Sequence, residues 1–424
     1  MAFYHILLHF WLKFGTGEFA ARSLSAVLAV LSIFPVYAIG VRLFAPTTAV
    51  AASLLLALNA FFIRYAQEAR GYALFFFLAA CASYIFLRAL DQPSWKNWGL
   101  YILTGALCIY THFFAVWVLA SHCISGAAFR RYRAQSLSIV LVHALIGVAA
   151  SPLLIPIMEP DSHTSHLGWL ATPSLGKLVE LFGTLSGSGE AVTAIAYGLA
   201  CGYALFCAWM RRSKNTSHTW SFVFLLNWML FPIVASFLFS LVFKPIFLPR
   251  YLIPSLAPFV LIAAAGLKSL RPVWLKTFAV LLMIVLSGRS VANLYGEGAR
   301  IDREPWRAVA EYVVGRSRAN DGIVFERVFP RTPFEYYFRE MYPESKFPKP
   351  VWPADPWGKV DDRNPGAWPL LKTGEFPRLW RILLFQSPEF AESRWHPENS
   401  ETAYCFIQRQ SFGFIDVMLY QTCP

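Results

Sequence analysis

The chain has 424 residues, 56% of them hydrophobic and only 15% charged, with a formal net charge of +12. That apolar fraction exceeds what a soluble domain needs, because a single core stops growing well before this length. The basic excess does not indicate nucleic acid either. Lysines and arginines are spread through short loops between apolar runs, as the positive-inside rule describes, and are not gathered in a patch.

Runs such as SLSAVLAVLSIFPVYAIG and VWLKTFAVLLMIVLSG are long enough to cross hydrocarbon as helices. The expected fold is therefore an α-helical polytopic membrane protein of about ten segments, two of them short, with a small carboxy-terminal α/β domain outside the cytoplasm. In chain order the segments fall at 23–43, 47–65, 72–89, 98–110, 113–128, 137–157, 191–210, 219–243, 251–268 and 273–290. The domain division is an amphipathic external segment over 1–22, a membrane domain over 23–290 and an external domain over 291–424.

FYHILLHFWLKFG (Phe3 to Gly15) has His5, His9 and Lys13 spaced by four on an apolar body, the pattern of a helix lying in the membrane interface. The basic stretches Arg88 to Lys96, Arg130 to Arg133, Arg211 to Lys214 and Lys268 to Lys276 share one, cytoplasmic, face only if 98–128 forms a hairpin with Thr111 and His112 at its tip. The loops at 62–71, 158–190 and 244–250, the amino terminus and everything after 291 then share the opposite face. Five cysteines sit in apolar runs and read as small buried hydrophobes. Cys405 and Cys423 lie in the tail and could pair if it is extracytoplasmic.

After 291 no stretch could span a bilayer. IDREPWRAVAEYVVG and TPFEYYFREMY read as helices, while GIVFERV, RLWRILLFQ, AYCFIQR and IDVMLYQ read as strands. Pro343 to Pro369, rich in proline and tryptophan, reads as an ordered loop.

Polar positions on the non-cytoplasmic side carry the candidate chemistry. In FIRYAQEARGYAL, Arg64 and Glu68 are four apart and could form a simple surface ion pair. Yet Gln67, Glu68 and Arg70 point in three directions of one turn, more polar surface than a membrane anchor requires, and ionisable groups at membrane depth usually mark a site. Arg250, in FLPRYLIPSLAP, is either a snorkelling arginine or a forked donor suited to a phosphate. His112, in YTHFFAVWVL, is either interfacial or part of a cavity. MEPDSHTSHLGW offers Glu159, Asp161, His163 and His166, a set that could hold a divalent ion but matches no strong ligand spacing. LSGSGE precedes a membrane span and does not open a βαβ unit, so a nucleotide loop is not expected. Asn215-Thr216-Ser217 fits a glycosylation acceptor but falls on the cytoplasmic side.

Taken in order, FYHILLHFWLKFGTGEFAARSLSAVLAVLSI, FFIRYAQEARGYAL, YTHFFAVWVLA, FLPRYLIPSLAP and REPWRAVAEYV resemble the bacterial GT-C superfamily membrane glycosyltransferases, in the branch similar to dolichyl-phosphate-mannose protein mannosyltransferases and aminoarabinose lipid A transferases. The resemblance implies a sugar moved from a polyprenyl-phosphate donor to a lipid, glycan or protein acceptor at the outer leaflet of a bacterial inner membrane, with no nucleic-acid partner. It implies catalysis by an external acid acting as general base, with Glu68 in that class. Gln67, Arg70, His112, Arg250 and Tyr251 would bind substrate, the Arg250–Tyr251 pair near the phosphate. The resemblance implies no particular cofactor and leaves a divalent metal open. The family's first span and its principal aspartate would precede Met1 here, an expectation of a truncated or mis-started chain. Other readings left open are a transporter or flippase of lipid-linked sugars, for which repeats and broken midplane helices would be expected, and an inactive remnant.

Overall fold

A computed structural model of the protein describes residues 2–128, 130–155, 171–187, 189–211, 216–296, 305–318, 320–325, 330–341, 349–352, 376–384, 394–395 and 403–424. It separates into two units, Met1–Leu294 and Tyr295–Pro424.

The first unit is helical. Seven stretches among the described residues are long and apolar enough to cross a membrane: Glu18–Leu43, Tyr72–Asp91, Tyr132–Leu153, Ala191–Arg211, Thr219–Val242, Pro249–Ser269 and Val273–Tyr295. Preceding them, α1 (Ala2–Trp11) is the amphipathic helix expected from the sequence. His5, His9 and Lys13 are exposed, while Tyr4 is fully buried and its hydroxyl meets Ser25 Oγ at 3.0 Å. The first span is α2 (Glu18–Leu31) followed by α3 (Ile33–Leu43).

The segment expected at 47–65 is not one helix. It is α4 (Pro46–Ala57) and α5 (Ala60–Ala66), bent by 62° at Leu58–Asn59. Leu, Ala and Phe supply the apolar pattern of a single span across this break, so hydropathy alone cannot see it. The cause is local: Asn59 takes an extended backbone, and its side chain accepts the Phe62 N–H as the cap of a new helix.

After α6 (Tyr72–Asp91), the chain forms the expected hairpin of α7 (Trp95–Thr111) and α8 (Ala115–Ala128), with His112 at its tip in extended conformation. α9 (Ser136–Ala150) follows. Within this bundle a chain of side-chain hydrogen bonds joins α6 to α9. Ser83 Oγ lies 2.9 Å from His122 Nε2, and Tyr101 Oη lies 3.1 Å from His122 Nδ1 and 3.0 Å from His143 Nε2. Such bonds hold helices together where apolar contact with lipid gives them no preference for one another.

The stretch 171–190, read from the sequence as part of a loop, contains α10 (Gly176–Leu185). Then come α11 (Ala191–Arg211), α12 (Thr216–Val242), a 3-10 turn (Pro249–Ser255), α13 (Leu256–Ser269) and α14 (Val273–Tyr295). Every residue of α13 from Leu256 to Leu267 is buried, which explains its apolar character on all sides. It meets α11 at very close range: a Cβ on Gly266 would sit 1.9 Å from the Ala200 carbonyl oxygen, so only glycine fits.

The second unit is a mixed six-stranded sheet with helices α15 (Trp306–Val314) and α16 (Arg331–Met341). Its strands are β1 (Gly322–Phe325), β2 (Lys349–Trp352), β3 (Arg378–Leu384), β4 (Arg394–Trp395), β5 (Tyr404–Phe412) and β6 (Ile415–Thr422), in the order β2-β1-β3-β6-β5-β4. β1 runs parallel to β2 and β3, and the remaining pairs are antiparallel. β3 is central and buried on both faces: Trp380, Ile382 and Leu384 join a core with Trp306 and Phe334, while Leu379 and Leu383 join one with Met418 and Tyr420. The helices and longer strands fall where the sequence placed them. β2 does not, since it lies inside the stretch read as a loop; Pro350 is tolerated there because β2 is an edge strand. β5 and β6 are joined by a two-residue turn in which Gly413 adopts φ +63°, and Cys405 is disulfide-bonded to Cys423.

Candidate active site

The polar knot at 64–70 lies where α5 ends. α5 is only seven residues long, and Gln67 closes it as its C-cap. The Arg70 N–H then donates to the Glu68 carbonyl at 2.7 Å, a tight turn that returns the chain into α6. Glu68 has therefore left the helical path. Its ion pair is with Arg70, at 3.9 Å, and the four-residue pairing with Arg64 that the spacing permits is not made. Gln67 turns back on α5, its Nε2 donating to the Ile63 carbonyl at 3.3 Å.

The Glu68 side chain is about one-third exposed, but its Oε2 is buried with no hydrogen-bond donor. Burial pushes its carboxyl above the ordinary range, against the opposing pull of Arg70, Arg64, Arg250 and Arg22. A carboxylate whose pKa is raised by burial is more basic than an ordinary one, and the third of the Glu68 side chain that is exposed is the part a proton donor could reach.

Arg250 approaches the same place from the 3-10 turn that opens the Pro249–Ser269 span. Its Nε is buried without an acceptor, and its guanidinium carbon stands 5.4 Å from the centre of the Tyr251 ring. Both Tyr65 and Tyr72 are within electrostatic reach of Glu68, Arg70 and Arg250. Tyr251 in turn packs on His112 (4.9 Å between ring centres), on Phe114 (5.0 Å) and near Tyr72 (6.5 Å). Phe75 stacks on His112 at 4.8 Å.

His112 is buried at the hairpin tip. Burial, reinforced by the positive charge of Arg250, pushes its pKa down to about 3, so the imidazole is neutral at physiological pH. Its Nδ1 accepts the Phe114 N–H at 3.2 Å, which leaves the single ring proton on Nε2. His112 is thus a fixed neutral hydrogen-bond donor.

The structure brings Glu68, Arg70, His112, Arg250 and Tyr251 together from three separate parts of the chain, with Gln67 beside Glu68 as the C-cap of α5. Reading the sequence missed Tyr65 and Tyr72, which complete the aromatic wall. The signal available for them was an aromatic residue one turn before and after the polar knot. Among the described residues no group of three or more His, Cys, Asp and Glu side chains could hold a metal ion. Glu159, Asp161, His163 and His166 lie outside the described residues.

Residues 1–157 match the family model described as dolichyl-phosphate-mannose-protein mannosyltransferase. No curated protein matches the chain. Among solved structures, the chain is similar to ArnT from Cupriavidus metallidurans in the apo state, with 13% identity over 98% of this chain and 87% of that one, at a TM-score of 0.58. It is also similar to ArnT of the same organism bound to undecaprenyl phosphate, with 13% identity over 96% and 85%, at a TM-score of 0.57. The family match covers the amino-terminal part of the chain, and the likeness to ArnT shows a shared fold along nearly all of it.

Proposed function

We propose that this protein transfers a sugar from a polyprenyl-phosphate donor to a hydroxyl or amine acceptor, at the non-cytoplasmic face of the membrane. The observation that carries the reading is the convergence of a proton-accepting carboxylate, Glu68, with a guanidinium, Arg250, whose buried Nε has no partner. In the proposed reaction the acceptor gives its proton to Glu68 as its oxygen or nitrogen bonds to the sugar's anomeric carbon. The bond from that carbon to the phosphate oxygen breaks, and the electron pair leaves with the polyprenyl phosphate. Arg250, Arg70 and the Nε2–H of His112 supply the donors that stabilise the charge developing on the phosphate. Tyr72 and Tyr251 offer flat faces for the sugar or the first prenyl unit. The donor class is supported by the ArnT structure with bound undecaprenyl phosphate.

The orientation is supported by the Cys405–Cys423 disulfide, which belongs to an oxidising compartment, and by the sequence, in which the basic stretches alternate with apolar segments so that one face would carry them all. A reporter fused after residue 300 that reads cytoplasmic would overturn it. The activity is tested with purified protein and a panel of synthetic polyprenyl-phosphate hexoses and pentoses. Glu68→Gln removes the proton acceptor and is expected to lower kcat by about 10²–10⁴-fold. A Glu68→Gln protein that transfers sugar as fast as wild type would remove Glu68 from the mechanism.

A further inference from the structure

Asn59 lies nine residues before Glu68, is only 1% exposed, and sits at the 62° bend between α4 and α5. Its Oδ1 accepts the Phe62 N–H at 2.9 Å, which satisfies a free donor at the start of α5. Its Nδ2 donates to the Leu185 carbonyl at 2.8 Å. Leu185 is the last residue of α10, so this carbonyl is one of the acceptors that a helix leaves unpaired at its end. The two backbone partners fix the amide's orientation, because only oxygen can accept from Phe62 and only nitrogen can donate to Leu185. One buried carboxamide therefore caps two helices at once.

The turn after α10 is built to sit against α5. The Gly187 N–H donates to the Thr184 carbonyl at 3.0 Å and the Gly189 N–H to the Gly183 carbonyl at 3.1 Å. Gly187 has φ +127°, and a Cβ there would lie 3.6 Å from the Ala60 nitrogen, the first residue of α5. The Tyr197 hydroxyl of α11 borders the same amide. α5 is a seven-residue rod with Asn59 at one end and the Glu68 turn at the other, roughly 13 Å away at 1.5 Å per residue.

We propose that Asn59 is a positioning residue for Glu68: by capping α5 and α10 together, it fixes where α5 delivers the carboxylate and couples that position to α10. The proposal rests on the transfer reading for its catalytic consequence, but the double cap can be measured without it.

The experiment uses the full chain in nanodiscs, comparing wild type with Asn59→Ala and Asn59→Ser by hydrogen exchange and by sugar transfer. Asn59→Ala removes both caps. Amide exchange is expected to rise about five-fold at 60–63, at the 185–189 turn and at the Glu68 turn, 67–71. Serine is a good cap for α5 but too short to reach Leu185. Asn59→Ser should therefore loosen 185–189 and 67–71 while leaving 60–63 near wild type. In transfer, both variants should lose about ten-fold in kcat with a smaller change in KM for the donor, because Arg70 moves with the 67–71 turn while Arg250 and His112 stay in place. Unchanged exchange at 67–71 in Asn59→Ala overturns the positioning role, and so does a loss confined to KM. If wild type transfers no sugar from any donor in the panel, the transfer reading fails, and exchange at 67–71 still decides for or against the coupling.

Discussion

Replacing Arg250 by alanine separates two things this arginine does. Its Nε is buried without an acceptor, and its charge is one of four that oppose the burial of Glu68. The first property predicts the size of the effect. Removing one preorganised donor from a developing anion lowers kcat by roughly 10²–10³, equivalent to about 2.7–4 kcal/mol. If Arg250 held the donor phosphate equally in ground and transition states, KM would rise and kcat would stay. The second property predicts the pH profile. Burial already places the Glu68 carboxyl above its ordinary value, and removing a cation raises it further. Glu68 must be ionised to accept a proton, so the acid limb of kcat moves to higher pH in Arg250→Ala. Arg250→Lys keeps the charge but loses the forked geometry. It should leave the limb near its wild-type place while recovering only part of the rate. The assay is sugar transfer from a polyprenyl-phosphate donor across pH 4–9. An acid limb that stays fixed or moves down in Arg250→Ala, or a rate within two-fold of wild type, would refute this account of the site.

Other consequences are as direct. His112 is held neutral, with a pKa of about 3 against an ordinary 6.5, so the unfolded chain binds a proton there before the folded one does. Stability should therefore fall as pH drops from about 6.5 towards 4, and thermal unfolding of His112→Phe, which keeps the ring stack, should fall less steeply. Because His112 does not titrate near neutrality, it should contribute no limb to the rate profile between pH 5 and 8. Gly266→Ala would place a Cβ 1.9 Å from the Ala200 carbonyl and force α11 and α13 apart. A cost of about 3 kcal/mol or more is expected, seen as lower thermal stability, whereas Gly202→Ala, which meets nothing within 4 Å, should be near neutral. Cys405→Ser opens a cross-link between residues 18 apart and should destabilise the Tyr295–Pro424 unit by about 3 kcal/mol in chemical unfolding. An unchanged midpoint would show that the β5–β6 hairpin holds without it.

Much of the architecture is legible in the sequence because hydropathy and charge act at short range. The spans, the hairpin at 98–128 and the alternating strands of the tail follow from the lengths and periods of apolar residues. β3 is apolar on either side of Arg381, in LW and ILL, because both its faces are covered. Two elements are not legible. The bend at Asn59 is invisible because both sides of it are equally apolar, and β2 is hidden because its four residues pair only at a sheet edge.

For the candidate site, the sequence by itself supplied the residue types: a carboxylate among arginines, an Arg-Tyr pair and a His at a turn. It could not decide whether Glu68 pairs with Arg64 along a helix. The tertiary structure decided that, because α5 stops at Ala66 and the chain turns before a fourth residue can come round. Nor could it place His112 beside Tyr251, which is 139 residues away in sequence and 4.9 Å away between ring centres. Local patterns fix which segments are helices. Which polar ends of those helices meet depends on packing between distant segments, and there a buried charge or amide finds the partners that give it a role.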